Sequence, residues 1–459
     1  MGTQSTSVKA VKTPKDWTPD SWRAKPALQQ ACYPDQAELE SALTQLSSLP
    51  PLVTSWEILS LKEQIAEAQA GRRFFLQGGD CAELFTECEP SIVANRLKVL
   101  LQMSLILLHG LEMPVLRVGR FAGQYAKPRS EDMETIDGVT LPSYRGDLVN
   151  AAAFTEEARR PNPSRMLEAY SRSAITMNFV RGLVDGGFAD LHHPEYWDLG
   201  WVEHSPLAEE FHRISHSIGS SVRFVETITG RTPGSLKRVD FFTSHEALHL
   251  EYERALTREV PRQWGHFNLS THFPWIGLRT AQVDGAHMEL MRGIRNPVGI
   301  KVGPGTSAGE IKQLLTHINP DKEAGRVVLI HRLGADAIDA ELPGLIEAVK
   351  ASGSPVLWIC DPMHGNTEKT SNGYKTRQFG KIQYEVEQAI DIHAKMGSRL
   401  GGLHLELTGE NVTECMGGAR RLDETDLVTA YKTTVDPRLN YEQALELAML
   451  VVKKHRSIA

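Results

Sequence analysis

Val356-Leu-Trp-Ile-Cys-Asp-Pro-Met-His-Gly-Asn366 reads as a short apolar strand running into a polar tip. Val356 to Ile359 have the length and composition of a buried strand, and Asp361-Pro362 ends it. His364 therefore falls just past the carboxyl end of a strand, where α/β folds place their chemistry. The run Gly402-Leu-His-Leu-Glu-Leu-Thr-Gly-Glu-Asn411 repeats the arrangement, with Glu406 as the acidic residue at its tip.

Working outward, the same strand-then-loop pattern recurs at Phe74–Gln77, Val115–Val118, Asp240–Thr243, Phe267–Leu269, Val298–Lys301 and Val327–Ile330. With the two runs above this makes eight units, most followed by a helical pattern, which predicts an α/β fold of the (β/α)8 (TIM) barrel type. Residues 1–70 read as an N-terminal extension: a proline-bearing arm, then helices at Asp35–Leu46 and Ser55–Ala70, packed on the barrel. The catalytic barrel is expected over 71–459. Residues 131–235 interrupt the alternation after the second strand and read as a mostly helical insertion (Ser164–Val184, Ser205–Thr229), with an ambiguous strand at Phe188–His192. An amphipathic helix at Tyr441–Lys454 closes the chain.

Composition narrows the function classes. Of 459 residues 41% are apolar and 23% charged, as in a soluble globular protein, and a net charge of −7 provides no footprint for nucleic acid or an acidic membrane. No uninterrupted apolar run reaches the ~20 residues of a membrane span, and no secretory signal opens the chain, so the expected location is the cytoplasm. Five widely spaced cysteines, an odd number, predict free thiols rather than a disulfide framework.

The first polar groups past each strand are Cys81, Arg120 with Lys127, Glu246, Arg279, Lys301, Arg332, His364 and Glu406. In a barrel they converge on one mouth. Cys81, His364, Glu406 and Asp436 combine sulfur, imidazole and carboxylate donors, a set suited to a divalent transition metal. Arg120, Lys127, Arg129, Arg279, Lys301 and Arg332 suit a small polyanion such as a phosphate or carboxylate, unless acids such as Asp80, Asp361 or Glu246 neutralise them. Lys375-Thr376-Arg377, in the loop after His364, is either a further anion clamp or a solvated stretch.

Seven motifs together resemble the type II (plant-like) 3-deoxy-D-arabino-heptulosonate 7-phosphate (DAHP) synthases. They are Gln77-Gly-Gly-Asp-Cys-Ala-Glu83, Gly123-Gln-Tyr-Ala-Lys-Pro-Arg-Ser130, Ser143-Tyr-Arg-Gly-Asp147, Ser244-His-Glu-Ala-Leu248, Asp284-Gly-Ala-His287, Asp361-Pro-Met-His-Gly-Asn-Thr367 and Leu407-Thr-Gly-Glu-Asn-Val-Thr-Glu-Cys415. The resemblance runs from about Trp22 onward. It implies a transferase that condenses phosphoenolpyruvate with erythrose 4-phosphate at the start of the shikimate pathway, using a divalent metal, Mn²⁺ or Co²⁺. It assigns metal ligation to Cys81, His364, Glu406 and Asp436, and phosphoenolpyruvate contacts to Arg120, Arg279, Lys301 and Arg332. Erythrose 4-phosphate contacts fall on Lys127, Pro128, Arg129 and Ser130, and Glu246 is a partner for the attacking water. It further implies a homodimer or homotetramer, with an aromatic amino acid as possible effector. Two departures stand out: Leu278 where the family usually has Glu before Arg279, and Val435 where it has Cys. They leave open an amino-sugar or other secondary-metabolism paralogue, alongside a catalytically silent regulatory homologue.

Overall fold

The short apolar runs pair side by side until the last meets the first. In the computed structural model, which describes residues 16–186 and 240–458 together with 14, 188 and parts of 209–220, eight parallel strands close a barrel. They are β1 (Phe74–Gly79), β2 (Val115–Arg120), β3 (Phe241–Glu246), β4 (Phe273–Ile276), β5 (Val298–Val302), β6 (Val327–His331), β7 (Val356–Cys360) and β8 (Leu400–Glu406). Each pairs with its sequence neighbours, and β8 returns to β1 with Gly79 opposite Glu406. Helices α1 (Gln36–Ser48) and α2 (Ser55–Gln69) precede the barrel. After successive strands come α3 (Pro90–Leu111), α4 (Ser164–Asp185), α5 (Leu250–Ala255), α6 (Ala286–Arg292), α7 (Ala308–Ile318), α8 (Ile338–Ser352), α9 (Phe379–Lys395) and α10 (Tyr441–Ile458).

One strand differs from the sequence expectation. His266–Asn268 forms a small antiparallel pair with Thr257–Glu259, and the barrel strand is β4, a few residues later. Pro274 sits inside β4, and a residue without an N–H argues against a central strand in any pattern-based reading. The fold tolerates it because β4 pairs at only three positions with β3 and two with β5.

Helix α2 decides which end of the barrel is open. A capping box starts it: the Thr54 N–H donates to Glu57 Oε2 at 2.8 Å, and the Glu57 N–H donates to Thr54 Oγ1 at 3.3 Å. Its Leu61, Ile65 and Ala68 join one buried cluster with barrel residues such as Phe75, Val118, Phe273 and Ile330. Gln64 Nε2 donates to Asp240 Oδ2 at 2.9 Å, just before β3, and Gln69 Nε2 to the Val327 carbonyl at 3.4 Å, where β6 begins. The helix therefore seals the amino ends of the strands, and only the carboxyl ends present a mouth.

The outer ring has one unusual member. Helix α3 is long and apolar enough, by length and composition, to cross a membrane, yet 67% of its apolar window is buried inside the fold. Part of that cover is α10: Gly110 lies directly beneath Val452, and Arg456 Nε donates to the Gly110 carbonyl at 3.3 Å across 346 residues of sequence.

Between β2 and β3 the described residues begin with a hairpin, Met133–Ile136 paired with Val139–Pro142, before α4. Asp137 and Gly138 turn it with φ of 51° and 80°, the left-handed pair of a tight hairpin turn. The opening of the insertion is thus β-structured, not helical. Apart from Phe188, the strand expected at Phe188–His192 lies outside the described residues, as does most of the helix expected over Ser205–Thr229.

Candidate active site

All thirteen residues that the sequence singled out line one cavity of about 310 Å³ at the carboxyl end of the barrel. The sheet explains part of the convergence. Gly79 lies between Arg120 and Glu406, opposite each in register, so the tips of β1, β2 and β8 meet there. Its φ is 148°, and a Cβ would stand 2.7 Å from the Arg120 carbonyl oxygen. Only glycine lets the strands come that close without a shift of backbone.

The donor set is compact. One ligand atom from each of Cys81, Glu406 and Asp436 lies within 4.8 Å of the others, and His364 Nε2 is 3.0 Å from Glu406 Oε1. An imidazole nitrogen facing a carboxylate oxygen at that distance needs a proton or a cation between them. Lys127 Nζ contacts both Cys81 Sγ and Asp436 Oδ2, so a positive charge already sits among these donors. Glu406 Oε2 and Arg377 Nη2 are 2.7 Å apart, but the N–H is misdirected and neither atom makes a hydrogen bond. A buried sulfur, an imidazole and two carboxylates, one with an unbonded oxygen, fit a divalent transition metal. Burial, with the Glu406 charge, pushes the Cys81 thiol up to about 12 despite Lys127 beside it. Binding as thiolate would therefore require a cation to displace the proton.

Asp361 orients this set. Fully buried, it accepts from His364 Nδ1 at 2.8 Å and pairs with Lys301 Nζ at 2.9 Å. Accepting that N–H fixes the tautomer and leaves Nε2 to face Glu406. Burial alone would raise its carboxyl, but His364 and Lys301 hold it well below the usual carboxylate range. Lys301 in turn is lowered by burial, with Asp361 working against that.

Arg120 is anchored on two sides. Its Nη1 donates to His404 Nε2 at 2.8 Å and its Nη2 to Glu406 Oε1 at 3.0 Å. His404 Nδ1 donates to Gln77 Oε1 at 2.7 Å, a pairing that suits a neutral ring; burial, then Lys301 and Arg120, keep His404 well below its ordinary value. The Trp275 ring lies under both Arg120 (5.3 Å) and Lys301 (6.0 Å), a cation–π floor. At the rim, Arg279 Nη2 donates to Ser130 Oγ at 2.9 Å, and Arg332 donates to the His364 carbonyl.

Glu246 ends β3 with Oε1 buried and lacking a hydrogen-bond partner. Burial raises its carboxyl, against the pull of Lys301 and Lys127. It fits because residue 277 is glycine: a Cβ there would collide with the same Oε1.

Several expectations about charge pairing resolve here. Lys301 is neutralised by Asp361, whereas Asp80 pairs with Arg96 and with Arg438 at 2.6 Å, away from the rim cations. Arg438, also held by Glu414 at 2.9 Å, anchors the loop that carries Asp436. Arg377 is neither solvated nor an anion clamp; it is fully buried against Glu406, while Lys375 bonds Asp436 Oδ1 at 2.9 Å. Leu278 lines the cavity and packs against Gly303. The residues that sequence reasoning passed over as site residues are Asp361, His404, Gln77 and Trp275. The first two lie inside the quoted runs, where alternation along a strand marks which side chains point inward.

Known proteins bear on this geometry. A phospho-2-dehydro-3-deoxyheptonate aldolase from Neurospora crassa is 47% identical over 456 residues, covering 96% of this chain and 94% of that protein. One of the same name from Streptomyces coelicolor is 46% identical over 437 residues, covering 95% and 97%. A solved phospho-2-dehydro-3-deoxyheptonate aldolase from Francisella tularensis aligns over 92% of this chain and 97% of its own, at 12% identity and a TM-score of 0.48. Residues 17–452 match the Class-II DAHP synthetase family, and at this coverage and identity the chain belongs to that family.

Proposed function

We propose that this chain condenses phosphoenolpyruvate with erythrose 4-phosphate to give DAHP and phosphate, the first step toward aromatic amino acids. The observation that carries the reading is the meeting, in one cavity, of two sets: Cys81, His364, Glu406 and Asp436 on one wall, and Arg120, Arg279, Lys301 and Arg332 around it. A divalent ion held by the first set, Mn²⁺ or Co²⁺, supplies Lewis acidity toward the sugar aldehyde. Arg120, Arg279, Lys301 and Arg332 hold the carboxylate and phosphate of phosphoenolpyruvate, which aligns its C3 with the aldehyde carbon. Lys127, Pro128, Arg129 and Ser130 receive erythrose 4-phosphate nearer the rim. Attack leaves cationic character at C2, which water quenches, and phosphate departs by C–O cleavage. Glu246, with an unbonded oxygen and a raised carboxyl, takes the proton of that water. If Glu246→Gln turned over normally, that role would go.

The deciding experiment starts from metal-free protein with both substrates. Adding Mn²⁺ or Co²⁺ should bring loss of phosphoenolpyruvate and appearance of the heptulosonate. Bound metal without product would sink the reading. Among the described residues no observation favours the amino-sugar or silent alternatives. The family resemblance also underlies the proposals of a homodimer or homotetramer and of control by an aromatic amino acid, which light scattering and inhibition assays test.

A further inference from the structure

A second group of metal-type donors lies outside the barrel wall. His331 ends β6 and Cys360 ends β7, directly opposite each other in the ladder, and both side chains point toward α9, which carries Glu385. All three residues are fully buried, and one ligand atom from each lies within 4.8 Å of the others. Neither nitrogen of His331 has a hydrogen-bond partner among the described residues. A buried imidazole always carries at least one N–H, so a ring left without a protein partner in the interior calls for an explanation. We propose that His331, Cys360 and Glu385 form a second, structural metal site for a borderline divalent ion such as zinc.

Spacing, valence and charge agree with this. The donors make no hydrogen bonds to one another, and in a tetrahedral site with zinc–ligand bonds of about 2.0–2.3 Å neighbouring ligand atoms stand about 3.3–3.8 Å apart, so side-chain shifts of about 1 Å close the site. Glu385 accepts from the N–H groups of Leu333 (3.0 Å) and Gly334 (2.9 Å) and from Asn366 Nδ2 (2.7 Å). A carboxylate offers about four lone pairs, which leaves one for the ion. One thiolate, one carboxylate and a neutral imidazole balance a doubly charged cation, the condition for leaving it out of water. The Cys360 thiol and the Glu385 carboxyl, both held high by burial and the latter at about 8, give up their protons to solvent as the ion binds. His393 is a further donor on α9: its Nδ1 contacts Ser398 Oγ at 3.0 Å, its Nε2 is unbonded, and its ring centroid is 5.9 Å from that of His331. The ion would pin the tips of β6 and β7 from outside. Of the next residues, Arg332 lines the cavity and Asp361 holds His364 and Lys301, so the site steadies the catalytic mouth without touching it.

Metal counting tests this independently of activity. Stripped protein is reloaded with Zn²⁺, passed through gel filtration and analysed by plasma mass spectrometry. The full chain should hold two ions, Cys360→Ser one and Cys81→Ser one. A spectroscopic arm covers the case in which Cys360→Ser folds poorly: Cys81→Ser loaded with Co²⁺ should keep a thiolate-to-cobalt band, which His331→Ala in the same background should weaken or lose. One ion per full chain, two ions retained in Cys360→Ser, or no thiolate band in Cys81→Ser would each overturn the proposal.

Discussion

Replacing Asp361 with asparagine changes no volume and removes one charge, so it separates orientation from packing. Asp361 accepts from His364 Nδ1 at 2.8 Å and from the N–H groups of Met363 and His364 at 3.0 and 3.2 Å, and pairs with Lys301 at 2.9 Å. An amide in its place would offer one acceptor and one donor. If its NH2 turns to His364, the ring moves its proton to Nε2, the nitrogen aimed at Glu406. Losing such a partner behind a metal ligand typically costs ten- to hundredfold in metal affinity, or about 1.4–2.8 kcal/mol. Lys301, already lowered by burial, would lose its main counter-charge and with it the contact that holds its ammonium in place. The Michaelis constant for phosphoenolpyruvate should therefore rise as well. Stability should fall by about 3 kcal/mol, the low end for breaking a buried pair, because Glu246 still gives Lys301 a negative neighbour. The assay is a Mn²⁺ titration by calorimetry on folded protein, with initial rates at saturating metal. Wild-type metal affinity together with an unchanged Michaelis constant would refute the reasoning.

Other substitutions probe separate parts of the argument. Gly277→Ala places a methyl against Glu246 Oε1, the movable end of a side chain, so turnover should drop at least tenfold while the melting temperature barely changes; equal losses of both would mean that the backbone had moved instead. Ile65→Ala, at the sealed end of the barrel, should cost about 2–5 kcal/mol in urea unfolding and leave turnover intact. His249 is buried and lowered to about 4: its Nδ1 accepts the Tyr252 N–H at 3.3 Å and its Nε2 contacts the Tyr33 hydroxyl at 2.7 Å. Below pH 6.5 the unfolded chain takes up a proton that the folded one refuses. His249 alone should thus remove about 1 kcal/mol of stability per pH unit from 6.5 to 4, in addition to what other depressed histidines such as His287 contribute. His249→Gln should flatten that slope in melts across the range, and an identical slope would assign the effect elsewhere.

What the sequence disclosed followed from position along strands. The eight units were readable because parallel barrel strands are continuous apolar runs that end in polar tips, and nine of the thirteen rim residues fell out of that single rule, while Pro128 and Ser130 came only with the family motifs. The rule failed where a strand lacked the expected composition: Pro274 hid β4, and the neighbouring Phe267-Asn-Leu run took its place. The hairpin at Met133–Pro142 carried a signal, Asp137-Gly138 between Ile136 and Val139, that a helical reading of the insertion overlooked. Orientation was harder to see. That Asp361 turns His364, that Arg377 is buried behind Glu406, and that α2 closes the barrel all depend on contacts between distant segments. Periodicity reports which face is apolar and does not say what that face meets.

The pairing of α3 with α10 also constrains how the chain can be made. A ribosome releases α3 early, and the helix that completes its cover is hundreds of residues away. Until α10 emerges, a segment with the length and apolar character of a membrane anchor has part of its face unshielded. Through that interval this face of α3 is open to chaperones and to aggregation. A chain interrupted before Tyr441 would leave the α10-facing side of that helix uncovered for good, making it a substrate for chaperones and proteases rather than a slower enzyme.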